Sequence, residues 1–137
     1  MKIVSACLAG IKCRWDGTSK PNKLIIELIE KGRAIPLCPE QLGGLPTPRL
    51  AAEQKGNRVF AENGTDVTDK FLKGANEGLK IAKIVNCKEA ILKSKSPSCG
   101  CGEIYDGTFT NKLIKGDGIF TRVLKQNGIK VVSDEEL

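Results

Sequence analysis

The sequence predicts an α/β protein, a Rossmann-like three-layer fold with a parallel sheet of about four strands and helices on both faces. Three observations carry that prediction. Short apolar runs alternate with amphipathic helical patterns as strand, helix, strand, helix, strand, helix, strand. Glycine or Asn-Gly punctuation follows two of the three helical patterns, and three cysteines, Cys7, Cys38 and Cys99, fall at or just beyond the ends of the first three strand-like runs. Open parallel sheets collect ligands outside the carboxyl ends of their strands, so thiols distant in sequence can meet there.

Lys2 to Ala6 reads as the first strand, followed by an irregular segment, residues 8–21, in which Asp16-Gly17 marks a turn. Asn22 is placed to cap a helix over Lys23 to Lys31, with Leu24, Ile25, Leu28 and Ile29 on its apolar face and Gly32 as its stop. Arg33 to Leu37 is the second strand. Cys38 then opens a segment to Arg49 that holds Gly43-Gly44 and several prolines, and it reads as a stiff, close-fitting loop without regular structure.

Residues 51–63 have a poor pattern, with Arg58 to Ala61 as a small edge strand and Asn63-Gly64 as a turn. Thr68-Asp69 is placed to cap a long helix reaching Val85. Gly74 and Gly78 lie within it, each costing about 1 kcal/mol relative to Ala, which implies close packing on the sheet. Cys87 reads as a small buried apolar residue. Glu89 to Lys93 is the third strand and delivers Ser94 to Gly102, which contains Ser96, Ser98, Cys99 and Cys101. Ile104 to Phe109 reads as a turn, and Asn111 to Lys115 is too short to assign. A helix begins at Asp117 or Gly118 and stops at Asn127-Gly128, Ile129 to Val132 is the last strand, and residues 133–137 read as a short or frayed terminus.

At 137 residues, 40% hydrophobic and 28% charged, the chain is expected to form a single domain over residues 1–137, with one core and no need of disulfide staples. No apolar run approaches the roughly 18 residues that span a bilayer, and the N-terminal run is too short for a signal peptide, so a cytoplasmic location is the expectation. The six cysteines are then expected as free thiols used for metal binding or catalysis. A net charge of +6 favours anionic partners, but the bases are scattered and aromatics are few, leaving RNA as a partner that is not favoured. Histidine is absent, which removes every His-dependent triad, dyad and zinc site.

Thiolates select zinc, copper(I) or iron-sulfur clusters. The paired Cys-x2-Cys knuckles of a structural zinc are missing, and three single thiols at three strand ends better suit a cube-shaped cluster. If only Cys7, Cys38 and Cys99 reach it, one iron is left bare as a Lewis acid. Cys13 and Cys101 are a further ligand, a resolving thiol or bystanders. Near these thiols, Glu40 is either a proton handler or a surface carboxylate. Ser96 and Ser98 are substrate hydrogen-bonders or turn formers, and Arg49 either binds an anion or pairs with an acid.

Val4-Ser5-Ala6-Cys7, Cys38-Pro39-Glu40, Gly43-Gly44-Leu45-Pro46-Thr47-Pro48-Arg49, Asp66-Val67-Thr68, Ser96-Pro97-Ser98-Cys99-Gly100 and Tyr105-Asp106-Gly107 together closely resemble the small bacterial thiouracil desulfidases, formerly an uncharacterised domain family. The resemblance spans nearly the whole chain. It implies a [4Fe-4S] cluster held by Cys7, Cys38 and Cys99, whose open iron takes the sulfur of a thiolated pyrimidine of the 4-thiouracil or thiouridine type while water attacks the ring carbon. The family's acid/base glutamate falls on Glu40 and its catalytic serine on Ser96, with Ser98 the second candidate by position. Ser98 and Arg49 are then expected to bind substrate. Trp15 stands where the family usually has Tyr. The rival expectation is a non-catalytic metal-binding or redox-sensing module in which the thiols hold zinc or a regulatory cluster, on or off RNA. A thiol oxidoreductase using Cys99 and Cys101 fits less well, because one residue separates them instead of two.

Overall fold

A computed structural model describes residues 1–137. The central sheet contains β1 (Lys2–Ser5), β2 (Ala34–Leu37), β5 (Glu89–Leu92) and β8 (Lys130–Ser133) in the order β2-β1-β5-β8. Every pairing is parallel, with Ile3 opposite both Ile35 and Ala90, and Ile91 opposite Val132. The chain steps outward from β1 to β2, then returns past β1 to β5. That reversal puts a topological switch between β1 and β5, where a crevice opens beyond the carboxyl ends.

Strand alternation assigns the two faces. Ile3, Ala90 and Leu92 join one buried cluster with Phe71 of α3 (Thr68–Ile84) and Phe120 and Leu124 of α4 (Ile119–Gln126). Val4, Ala34 and Ile91 join the other with Ile25 of α1 (Lys23–Glu30). Helices therefore cover both faces, as the sequence predicts. Asn22 caps α1 through Oδ1, which accepts from the backbone N–H groups of Leu24 and Ile25 at 2.9 and 3.3 Å. No helix is long and apolar enough to cross a membrane.

Five local expectations are corrected. The segment after Cys38 is not wholly irregular: α2 (Pro39–Leu42) forms there, because a proline at the first helical position lacks an N–H the helix does not use. The expected strand over Arg58 to Ala61 forms as β4 (Arg58–Ala61), but it pairs with β3 (Ala52–Lys55), where no strand was expected, and β6 (Glu103–Tyr105) with β7 (Leu113–Lys115) makes a second antiparallel hairpin where a turn and an unassigned stretch were expected. Thr68 does not cap α3. Its hydroxyl turns inward to the backbone of Val59, and Asp66 accepts from the Thr68 N–H instead. Gly74 and Gly78 do mark close packing, but against α2 and Phe120 of α4 instead of the sheet. Nor is the C-terminus frayed: Asp134 Oδ1 accepts from the Ser94 N–H at 2.7 Å, and residues 134–136 form a 3-10 turn.

Glu89 ties three strands at the amino edge of the sheet, 2.5 Å from Lys2 Nζ and 3.5 Å from Lys130 Nζ. The Lys2 ammonium holds its carboxyl below the usual range. A carboxylate whose folded pKa is depressed contributes stability above its unfolded pKa, and that stability is lost as pH falls through the folded value. Glu89→Gln is therefore expected to cost about 0.5–1 kcal/mol at neutral pH. In urea melts of the two proteins the difference should vanish at acid pH; a constant difference would assign it to packing.

Candidate active site and metal centre

Three strand ends deliver the thiols. Beyond β1 the chain tightens into a 3-10 turn, Ala6–Ala9, that ends at Gly10 in the left-handed region and carries Cys7. Cys38 is the residue from which α2 starts, and Cys99 lies in the loop after β5. All three line one cavity of about 480 Å³, together with Cys13. The Cys38 thiol donates to Cys13 O at 3.9 Å. Cys87 and Cys101 do not reach the cavity: their thiols point to the carbonyls of Glu89 and Val131. All six thiols are free.

Three of the thiols, Cys13, Cys38 and Cys99, are strongly perturbed. Contact with Cys13, then burial, pushes Cys38 far up. For Cys13, the hydrogen bond with Cys38 pulls down, but Cys7 and burial outweigh it and raise the thiol to about 11. Burial pushes Cys99 up to about 12 against the opposing hydroxyls of Ser5 and Ser98. Without a metal these groups keep their protons, and an ion or cluster that binds them must displace those protons.

Beside the thiols lies a hydrogen-bonded chain. Glu40, in the first turn of α2, accepts at Oε1 from Arg49 Nε at 3.2 Å and at Oε2 from the Ser98 hydroxyl at 2.9 Å. Ser98 Oγ is 3.0 Å from Ser96 Oγ, and Ser96 Oγ accepts from the Ser98 and Cys99 N–H groups. With the Ser98 proton given to Glu40, Ser96 must donate to Ser98, so the order is Ser96, Ser98, Glu40. Ser98 is only 2% exposed and is the link; Ser96 is half-buried on the cavity wall. Arg49, expected to bind substrate, has its other donors on Pro46 O, Thr47 Oγ1 and Cys13 O, and its side chain is 6% exposed. Its nitrogens are all committed to the protein, so it clamps Glu40 and the Cys13 loop.

The serine and cysteine loop is fixed from below. The start of α4 turns its unpaired N–H groups onto it: Ile119 N donates to Pro97 O, and Phe120 N and Thr121 N donate to Ser98 O. Thr121 Oγ1 donates to Cys99 O at 2.9 Å. Gly118 makes this approach possible, since a Cβ there would lie 2.4 Å from the Ser98 carbonyl carbon. Gln54 of β3, 2% exposed, donates through Nε2 to Pro97 O and Asp117 O.

A family profile described as 2-thiouracil desulfurase matches residues 3–136. The chain belongs to the 2-thiouracil desulfurase family. It is 42% identical over 147 aligned positions to YbbK of Bacillus subtilis (strain 168), described as an uncharacterized protein, covering 100% of this chain and 97% of that one. Among solved structures it is similar to TudS, a [4Fe-4S]-dependent thiouracil desulfidase, at 44% identity and a TM-score of 0.95, covering 99% of this chain and 91% of TudS.

In this 2-thiouracil desulfurase family member, the donor set bears on whether the cavity suits a single metal ion or an iron-sulfur cluster. No three Cys, Asp or Glu side chains converge closely enough to hold a single metal ion. A cube-shaped cluster makes a different demand, sulfur donors spread around a roomy cavity with one thiolate per corner. Cys7, Cys38 and Cys99, carried by the segments that follow three different strands, line the same cavity, with Cys13 beside them, and this donor set is compatible with that demand. Sequence reasoning missed the hydrogen bond from Ser98 to Glu40, the Gln54 tether and the contact of the Cys38 thiol with Cys13. The Ser-Pro-Ser spacing was the available signal for the first; the other two depend on pairings across the fold.

Proposed function

We propose that this protein is a [4Fe-4S]-dependent desulfidase that converts a thiolated pyrimidine and water into the oxo-pyrimidine and sulfide, without net electron transfer. Cys7, Cys38 and Cys99 would hold the cluster. Bound there by three thiolates, it supplies a Lewis-acidic iron with affinity for the thione sulfur. The chain's own residues do the rest. Glu40 takes a proton from the water that attacks the ring carbon, a role suited to a carboxylate fixed at both oxygens. Arg49 holds Oε1, so the carboxylate cannot swing away. Ser96 faces the cavity and presents its hydroxyl to the heterocycle, and Ser98 passes a proton between Ser96 and Glu40. This assigns Ser98 to relaying and Arg49 to positioning, instead of the substrate contacts first expected of them.

The observation that carries the reading is the Ser98 to Glu40 hydrogen bond, 2.9 Å, on the wall of the cavity that three strand-end thiols share. The test is anaerobic reconstitution with iron and sulfide, followed by incubation with 4-thiouracil. Uracil and sulfide should appear in equal amounts, with visible absorbance from the cluster. One zinc per chain, no visible absorbance and no uracil would instead establish the zinc-binding module.

A further inference from the structure

The antiparallel hairpin β6–β7 places Tyr105 and Asn111 on the cavity that holds Glu40, Ser96 and Cys99. Its tip is tightly built. Asp106 Oδ1 accepts from the Thr108 N–H at 2.9 Å and from its hydroxyl, and Thr108 and Thr110 share a further hydroxyl contact. Two non-glycine residues in the tip, Phe109 at φ +58° and Asn111 at φ +61°, adopt the left-handed region, which Asn enters readily but which surrounding structure must enforce on Phe109. Glu53 of β3 supplies the enforcement: its Oε1 accepts from both the Gly107 and Phe109 N–H groups at 3.1 Å. Gly107 lies so close beneath that a Cβ would stand 2.7 Å from Gln54 O.

Within this pinned tip the Asn111 carboxamide makes no hydrogen bond to the protein, although its neighbours' side chains do. A carboxamide offers one acceptor oxygen and one donor nitrogen side by side. The cyclic amide edge of a pyrimidine, an N–H beside a C=O, offers the complementary pair.

We propose that the β6–β7 tip is the ring-recognition wall of this cavity, with Asn111 as the specificity-determining residue that reads the amide edge of the heterocycle and Glu53 as the positioning residue that holds it in place. The proposal rests on the thiolated-pyrimidine reading above. It adds which edge of the ring is read and by which residue. An ordinary solvated turn would have no need of a half-buried carboxylate that grips its backbone at both Gly107 and Phe109.

The experiment compares wild type, Asn111→Ala, Glu53→Ala, Glu53→Gln and the Asn111→Ala/Glu53→Ala double variant, all reconstituted with cluster. KM for 4-thiouracil is expected to rise about tenfold in Asn111→Ala with kcat nearly unchanged, the effect of one or two lost neutral hydrogen bonds. Glu53→Ala should raise KM similarly, and Glu53→Gln, which keeps an acceptor oxygen, should recover most of the loss. Because Glu53 acts through Asn111, the double variant should be no worse than Asn111→Ala alone. Uracil binding, read by the fluorescence of Trp15, the single tryptophan and a cavity residue, should weaken about tenfold in Asn111→Ala. Unchanged KM and unchanged uracil affinity in Asn111→Ala, or fully additive effects in the double variant, overturn the proposal. If wild type releases no uracil, the desulfidase reading fails, and the uracil titration alone decides whether the tip reads a pyrimidine.

Discussion

Replacing Glu40 by glutamine is expected to lower kcat about 10²–10⁴-fold with little change in KM, while the cluster is retained. The substitution preserves shape and the acceptor oxygen that Ser98 uses, so the geometry of the serine loop should persist. What it removes is the capacity to take a proton. Arg49 loses its only carboxylate partner among its contacts, though it keeps Pro46 O, Thr47 Oγ1 and Cys13 O, so a loss of thermal stability accompanies the kinetic one. The measurement is single-turnover release of uracil from 4-thiouracil, with visible absorbance taken on the same sample. A Glu40→Gln protein that keeps its absorbance and turns over at the wild-type rate would remove this carboxylate from the chemistry. Loss of the absorbance would instead assign Glu40 a part in holding the cluster. Ser98→Ala is expected to fall between the two proteins, since Ser96 would then face Glu40 across a gap that water can fill.

The central sheet was readable because its strands are short apolar runs that helices cover on both sides, and burial on two faces leaves a strong hydrophobic signal. The same logic placed Cys7, Cys38 and Cys99 together, since each follows a strand of one parallel sheet and the switch lies between β1 and β5. What was not readable depends on partners. β3 runs Ala52, Glu53, Gln54, Lys55, with no apolar alternation, because its inward residue is a buried amide whose three partners come from distant segments. Pro39 argued against regular structure, yet at the first turn of α2 it is favoured. Cys13 sits in a segment whose local sequence shows only a turn, and its place is set by Arg49 N donating to Trp15 O and by Lys20 N donating to Cys7 O. For β3 and Cys13 a hydrogen bond to a distant segment decides the outcome, and local pattern carries no trace of it.

Gly74→Ala is expected to damage both stability and turnover, although in an exposed helix it would stabilise. Alanine at a mid-helix glycine gains about 1 kcal/mol in propensity. Here the added Cβ would lie 1.8 Å from Pro39 O and 2.8 Å from its carbonyl carbon, both backbone atoms that no rotamer change can move. Reaching an ordinary contact forces α2 away from α3, at an overpacking cost of about 1–3 kcal/mol that outweighs the propensity gain. The displaced element is short, follows directly on Cys38 and carries Glu40 in its first turn, so the shift reaches the site directly. A misplacement of about 1 Å in a catalytic group costs on the order of 10²-fold in rate. Gly78→Ala separates the two effects. One helical turn further along, its Cβ would meet only the edge of the Phe120 ring, 2.6 Å away, a side chain that lines no part of the cavity. Gly78→Ala should therefore lower the melting temperature with kcat per cluster close to wild type, whereas Gly74→Ala should lower both. Equal kcat in the two variants would mean that the contact between α2 and α3 secures the fold without aiming Glu40.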